Sequence, residues 1–193
     1  MEILEPGFYY HIYNHGNGCE DLFLNDDNYN FFLKKYTFYI SSVADTFAYC
    51  LMPNHFHFLV RINEINSKTS EVLKTSEVSN TFKNFFISYT KAFNKVNNRN
   101  GSLFRPKFQR KRIIDEEYLK NSIVYIHLNP VYHEFVNKPK KWKYSSYKSF
   151  FSLKTTSLKK KEVLSWFEDV DNFKAYHNLK SAEYYATKMG IEF

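Results

Sequence analysis

The chain has 193 residues, which is enough for one well-buried domain with an appendage but too few for two full-sized domains. Hydrophobic residues make up 44% of it and charged residues 24%, and no apolar run is long enough to span a bilayer. The 27 Lys and Arg residues outnumber the 20 Asp and Glu residues, and the net charge of +7 favours an anionic partner such as nucleic acid. The acidic N-terminal segment is interrupted by Pro6 and Gly7, so we expect no secretory signal and a cytoplasmic, nucleoid-associated protein.

The first third of the chain predicts a strand, a helix and a hairpin. Phe8 to Asn14 is rich in aromatic and β-branched residues, as strands are. Capping side chains at 25–27 precede apolar residues at helical spacing, which predicts a helix up to about Asp45. Phe47 to Leu51 and His55 to Ile62 then form two strands joined by a Pro-Asn turn.

The next segment predicts a loop, a helix, a strand and a third helix. Polar residues 63–76 predict a mobile loop, and a long amphipathic helix follows, with its apolar stripe over 78–96. Phe104 to Ile114 predicts a strand. Asp115 caps the third helix, which we expect Pro130 to end.

The order of these elements predicts an α+β fold. The first six give the ferredoxin-like βαββαβ arrangement, an antiparallel sheet with helices on one face, and the third helix is added to it. Residues 1–150 form this domain. Residues 151–193 are Lys-, Ser- and Thr-rich and then helical from Glu162 to Met189, which predicts an accessory C-terminal helical tail.

His55 and His57 are the strongest candidates for a metal site. Alternate residues of a strand face the same side, so the two imidazoles project together, about 7 Å apart at their Cα atoms, and can share one ion. Phe56 then points into the core. A short pattern of this kind can also arise from two histidines that only satisfy hydrogen bonds.

One polar stripe of the third helix offers a nucleophile and a third ligand. Tyr118, Ser122, Tyr125 and Asn129 lie on it at 100° per residue. The phenol of Tyr125 can attack a phosphodiester, and the amide oxygen of Asn129, one turn later, suits a hard cation beside imidazole. A bound divalent ion would neutralise a non-bridging phosphate oxygen, and a covalent phosphotyrosine would keep the bond energy for rejoining. The alternative is a surface tyrosine followed by an asparagine suited to the position before proline.

Two basic stretches are candidates for DNA binding. Phosphate contacts give most of the affinity of such surfaces, and aromatic residues stack unpaired bases, a role predicted here for Trp142, Tyr144 and Tyr147. The candidate DNA-binding residues are Arg105, Lys107, Arg110, Lys111, Arg112, Lys140, Lys141 and Trp142. The alternative for the lysines is a solvated face.

Two segments of the chain resemble a known family. Residues 52–60, Met-Pro-Asn-His-Phe-His-Phe-Leu-Val, resemble the HUH motif (His, bulky hydrophobic, His) of the single-tyrosine transposases of the insertion-sequence-200-like superfamily. Residues 125–131, Tyr-Ile-His-Leu-Asn-Pro-Val, resemble the tyrosine-helix motif of the same group. The Asn-Pro ending, with Trp142 and the Tyr-Ser-Ser-Tyr run after it, is most similar to the REP-associated tyrosine transposases.

The resemblance implies a role for each matched residue. His55 and His57 match the metal-binding histidines, Tyr125 the nucleophile and Asn129 the third ligand. Mg²⁺ or Mn²⁺, a 5′-phosphotyrosine, hairpin-bearing single-stranded DNA as partner and a monomer or homodimer are what the family implies. Residues 131–134 depart from the usual basic and small residues, which leaves the DNA specificity open.

We therefore expect a transposase, an enzyme of DNA transposition and recombination that cuts and rejoins single-stranded DNA. A catalytically silent nucleic-acid-binding module or repressor on the same fold is the main alternative. An HUH relative that nicks DNA to start replication, and a structural protein with an incidental histidine pair, are two others.

Overall fold

The computed structural model describes residues 2–65 and 74–188. Within these ranges the strands are β1 (Tyr9–His15), β2 (Ala44–Met52), β3 (His55–Ile62) and β4 (Gln109–Arg112). The α-helices are α1 (Asp26–Ile40), α2 (Thr75–Val96), α3 (Glu116–Tyr132), α4 (Lys160–Trp166) and α5 (Val170–Lys188). The order β1-α1-β2-β3-α2-β4 and the antiparallel pairing of the strands confirm the predicted α+β, ferredoxin-like fold.

The sheet has the order β2-β3-β1-β4, so β3 is interior and β4 is an edge strand. The register sets His15 opposite His55 and Tyr13 opposite His57. Because side chains alternate along a strand, these four residues lie on one face of the sheet at one end of β1 and β3.

Each face of the sheet carries its own core. α1 and α2 cover one face, where Phe56 packs with Phe32 and Phe86. α3 and α5 cover the other face, where Leu59, Ile123 and Phe173 are fully buried in a second cluster. The apolar side of α3, which includes Ile123, therefore packs on the sheet.

Two predicted helix ends are wrong. α1 ends at Ile40 instead of near Asp45, because Asp45 belongs to β2, where it pairs with Arg61 and forms a salt bridge of 3.1 Å with it. α3 continues past Pro130 to Tyr132. Val131 is fully buried there, and this burial offsets the backbone hydrogen bond that a proline cannot donate.

The predicted strand from Phe104 to Ile114 is also too long. Only Gln109 to Arg112 pair with β1, and Phe104 forms an isolated bridge with Gly16. Pro106 lies between these two pairings and has no N–H to donate to a neighbouring strand.

The C-terminal segment forms two helices instead of one. α4 and α5 are separated at Phe167–Asp169, where Glu168 has a φ of 71°. Phe173 of α5 is fully buried in the second core, so this segment packs on the domain. The division at residue 150 stays a prediction, and the predicted helix end at Met189 lies outside the described residues.

Two further sequence predictions concern mobility and membranes. The predicted mobile loop over 63–76 falls mainly on 66–73, outside the described residues. No helix in the described part of the chain is both long and apolar enough to cross a membrane.

Candidate active site

β3 places the two predicted metal-binding histidines at its start, under α3. His55 and His57 are both buried, and their ring centroids lie 5.1 Å apart. Phe56 points to the opposite face, into the first core. The strand alternation predicted from the sequence is therefore present, and the imidazoles face a cleft of about 410 Å³ between the sheet and α3.

α3 brings the predicted nucleophile and the third ligand to these histidines. The Asp115 side chain accepts a hydrogen bond from the backbone N–H of Tyr118 and caps the start of the helix. Asn129 Oδ1 lies 2.8 Å from His55 Nε2, and the ring centroid of Tyr125 lies 5.6 Å from that of His57. Tyr125 is 42% exposed, so its phenol is open to the cleft.

The second nitrogen of each imidazole has its own partner. His55 Nδ1 lies 2.7 Å from Asn54 Oδ1, and His57 Nδ1 lies 2.9 Å from His11 Nε2. When each Nδ1 carries the ring proton and donates it to these acceptors, both Nε2 atoms keep a lone pair toward the cleft. This is the tautomer that metal-binding histidines require.

Three polar groups in the cleft fit a divalent cation. His57 Nε2 is buried and has no hydrogen-bond partner among the described residues. His55 Nε2 lies 2.8 Å from Asn129 Oδ1, so it donates to that oxygen in the other tautomer, and in the tautomer above both atoms can bind one cation. No group of three or more His, Cys, Asp or Glu within the described ranges could hold a metal ion, so the amide oxygen of Asn129 would complete the set.

Burial sets the protonation states in the cleft. It is the main cause that lowers the pKa of His55 to about 4 and that of His57 well below its ordinary value of 6.5. Neighbouring histidines contribute to both shifts, and a hydrogen bond with Asn129 opposes the shift of His55. Both rings are therefore neutral at pH 7, as metal ligands must be. Burial also raises the pKa of Tyr125, against a hydrogen bond with Asn129 that lowers it, so the phenol keeps its proton at neutral pH.

Three other histidines, which neither sequence motif contains, lie in the cleft. His11 contacts His57, His15 stacks on His55 with centroids 4.9 Å apart, and His133 lies 5.0 Å from His55. The signal for the first two was alternation: position 11 lies in the strand predicted over 8–14, and position 15 directly follows its end on the same face. No sequence signal pointed to His133, which follows the end of α3.

Only one residue of the predicted arginine and lysine cluster faces the cleft. Lys111 lines it, with its ammonium 5.0 Å from the centre of the Tyr118 ring. Arg112 points to the other face of the sheet, where it forms a 2.6 Å salt bridge with Glu5. Arg110 also lies on that face, with its guanidinium 4.7 Å from the centre of the Phe108 ring. Alternation along β4 separates them, and Arg105 and Lys107 are exposed just before that strand.

The second predicted basic stretch is only partly available for contacts. Lys140 and Lys141 are exposed on a 3₁₀ turn. Trp142 is half-buried, and its Nε1–H donates to the carbonyl of Leu51 at 2.9 Å. The prediction that Tyr144 and Tyr147 stack bases is wrong, because both rings are buried: Tyr144 stacks on Tyr29 and Tyr147 packs on Phe173.

Comparisons with known proteins find similarity both in sequence and in structure. No family model matches the chain. A Haemophilus influenzae protein with the provisional name REP-associated tyrosine transposase is 29% identical over 105 residues, which are 53% of this chain and 58% of that protein. A solved structure of a REP-associated tyrosine transposase bound to a REP hairpin matches with a TM-score of 0.59 and 14% identity, over 78% of this chain and 83% of the other.

This chain is similar to the REP-associated tyrosine transposases in sequence and in fold. The resemblance inferred from the two motifs is thereby confirmed. The sequence match spans about three fifths of the relative's own length, 58%, and the structural match, at 14% identity, supports the fold.

Proposed function

We propose that this protein is a transposase, a metal-dependent endonuclease and strand transferase that acts on hairpin-bearing single-stranded DNA through a 5′-phosphotyrosine at Tyr125. The observation that carries the proposal is the position of that phenol, on the same helix face that brings Asn129 to His55 and with its ring 5.6 Å from His57. The names of the sequence relative and of the hairpin-bound structural neighbour support DNA as the substrate.

The three candidate metal ligands and Tyr125 each have a defined task in this reaction. Mg²⁺ or Mn²⁺ held by His55, His57 and Asn129 would neutralise a non-bridging oxygen of the scissile phosphate. Tyr125 Oη forms a bond to phosphorus, the bond from phosphorus to the 3′ oxygen breaks, and that oxygen takes up a proton to leave a free 3′-hydroxyl. Attack by another 3′-hydroxyl on the phosphotyrosine releases the phenol and rejoins the strand without ATP.

The surroundings of Tyr125 also bear on its proton and on the DNA. No acidic side chain lines the cleft within the described ranges, so the chain offers no carboxylate as general base there. The phenol is open to solvent, and its proton leaves to water. Lys111 supplies a positive charge at the cleft for a neighbouring phosphate.

The test is a covalent-adduct assay with Mn²⁺ and a hairpin-bearing single-stranded oligonucleotide labelled at its 3′ end. The labelled fragment should become protein-linked, because a 5′-phosphotyrosine retains the DNA on the 3′ side of the cut. Tyr125→Phe should abolish the adduct and leave DNA binding almost unchanged. Tyr118→Phe is the matched control, since Tyr118 lines the same cleft from the same helix. An adduct that persists in Tyr125→Phe and disappears in Tyr118→Phe or Tyr132→Phe would contradict the assignment.

The same assay separates the alternative of a silent binding module. Such a protein binds the hairpin but forms no adduct with any divalent cation. Retention of His55, His57, Tyr125 and Asn129 in one cleft favours the enzyme, because a binding module requires none of them.

A further inference from the structure

A second groove lies on the face of the sheet opposite the candidate active site. One wall is a stripe of α2, formed at helical spacing by residues between 79 and 94, and the other is the segment 101–110 that leads into β4. Its volume is about 580 Å³, within the range of roughly 300–1,000 Å³ typical of sites that bind organic molecules. The groove is therefore large enough for more than water and single ions.

The floor of this groove is apolar and aromatic. The ring centroids of Phe86 and Phe104 lie 5.2 Å apart, and that of Phe108 lies 5.3 Å from Phe86. Ile87 lines the groove and is 40% exposed. Phe86 and Phe104 are buried and support the floor, so the half-buried Phe108 and the exposed Ile87 are the groups that a base can contact. Such apolar contacts hold unpaired bases without regard to sequence, because every base has a flat apolar face.

The rim of the groove is positively charged. It carries four exposed basic residues whose side chains form no ion pair or hydrogen bond with the described residues: Lys83, Lys91, Arg105 and Lys107. No acidic side chain of the described chain lines the groove. Arg110 stands at one end, donating to Ser79 Oγ at 2.9 Å. The positive charges at 83, 91, 105 and 107 attract a polyanion, and these four side chains can contact its phosphates.

The groove adjoins the candidate active site through β1. Asn14 lines the groove and its neighbour His15 lines the cleft, because successive residues of a strand face opposite sides. The Arg105 N–H donates to the His15 carbonyl at 3.0 Å, and Asn14 Nδ2 donates to the Arg105 carbonyl at 3.2 Å. A DNA strand that leaves the cleft past His15 therefore meets Arg105 at the entrance of the groove.

We propose that the groove between α2 and residues 101–110 binds the unpaired DNA that adjoins the hairpin, with bases against Phe108 and Ile87 and phosphates on the basic rim. The inference rests on the proposed function for its choice of DNA. It assigns Lys83, Lys91 and Ile87 a binding role that no sequence motif indicated.

The test measures the affinity of the full-length protein for three labelled DNAs in EDTA, where metal-dependent cleavage is prevented. One is a blunt hairpin, the second carries an unpaired tail of about ten nucleotides, and the third has the same tail without bases. The groove variant is Lys83→Gln with Lys91→Gln. The control variant, with the same change in charge, is Lys148→Gln with Lys174→Gln, two exposed lysines outside the groove.

The tail should raise the affinity of the wild-type protein at least about tenfold, and removal of its bases should cancel most of that gain. The groove variant should lose the gain, and its salt dependence (the slope of log K against log salt) should fall by about 1.4, since each phosphate contact of a single strand contributes about 0.7. The control variant should bind all three DNAs as the wild type does.

Equal losses in the groove and control variants, or an equal loss for the blunt hairpin and the tailed one, would overturn the groove assignment. Failure of the proposed reaction would give a different experimental result. In that case the wild-type protein forms no adduct with Mn²⁺, while the effect of the tail on affinity and its loss in the groove variant remain.

Discussion

Two groups of histidines lie on either side of α3, and they differ in whether their nitrogens have partners. In the core, His127 Nδ1 lies 2.9 Å from His177 Nε2, His127 Nε2 lies 2.7 Å from Ser146 Oγ, and His177 Nδ1–H donates to a backbone carbonyl at 2.7 Å. In the cleft, His57 Nε2 has no partner among the described residues, and neither have Ser122 Oγ and Asn129 Nδ2.

Burial alone does not distinguish the two groups. It lowers the pKa of His177 to about 4 and that of His127 well below 6.5, just as it lowers those of His55 and His57. The difference is hydrogen-bond satisfaction: the ring nitrogens of the core pair all have partners, whereas buried polar atoms of the cleft have none among the described residues. We therefore propose that the first group serves stability and the second chemistry.

The largest effect is expected from loss of a cleft imidazole. His57→Ala should reduce adduct formation with Mn²⁺ about a thousandfold, because metal stabilisation of a phosphoryl transition state contributes several kcal/mol. Without metal it should lower the melting temperature by less than a core variant does, since Nε2 is unpartnered and only the contact of Nδ1 with His11 is lost. Adduct yields measure the effect on the reaction, and thermal melting measures the effect on stability. A fall in melting temperature as large as that of a core variant would contradict the comparison.

The next effect is on stability and comes from the core pair. His127→Ala removes the partner of both His177 and Ser146 and leaves a cavity, so the free energy of unfolding should fall by about 4 kcal/mol. Urea titration measures this change. The fraction that remains folded should still form the adduct, and loss of the reaction in that fraction would show that the core pair acts in chemistry.

Acidification should destabilise the protein through the same pair. The pKa of His177 is about 4 in the folded chain and near 6.5 when unfolded, so the unfolded chain binds more protons between these values. This stability is fully present above pH 6.5 and is lost as the pH falls toward 4, by roughly 3 kcal/mol for one such group. Unfolding measured across this window should show the slope, and His177→Asn should reduce it. An unchanged slope would mean that other groups set the acid response.

The smallest effect is expected at His11, which touches the metal site only through His57. His11→Ala should weaken Mn²⁺ binding by about 10- to 100-fold, because the Nδ1–H of His57 loses its acceptor. His11→Gln keeps an acceptor oxygen and should restore much of the affinity. Metal titration followed by thermal shift gives both values, and equal losses in the two variants would argue for packing instead of positioning.

The sequence predicted the parts of the site that follow from local geometry. Alternation along a strand put His55 and His57 on one face, and the 100° step of a helix put Tyr125 and Asn129 on one stripe. The two motifs also predicted the resemblance that the comparisons confirm. None of this required knowledge of distant contacts.

Other features depended on contacts between distant residues. The meeting of His11 with His57 depends on the pairing of β1 with β3. The burial of Tyr144 and Tyr147 depends on packing against Tyr29 and Phe173, which sequence spacing does not reveal.

By itself, then, the sequence determined the element order, the two motifs, and that His55 shares a face with His57 and Tyr125 with Asn129, because backbone periodicity and capping act over a few residues. The tertiary structure alone decided which face of β4 each basic residue occupies, that α3 continues past Pro130, and that residues 79–94 and 101–110 enclose one groove. These depend on strand register and on burial between elements far apart in the chain, where packing outweighs local preference.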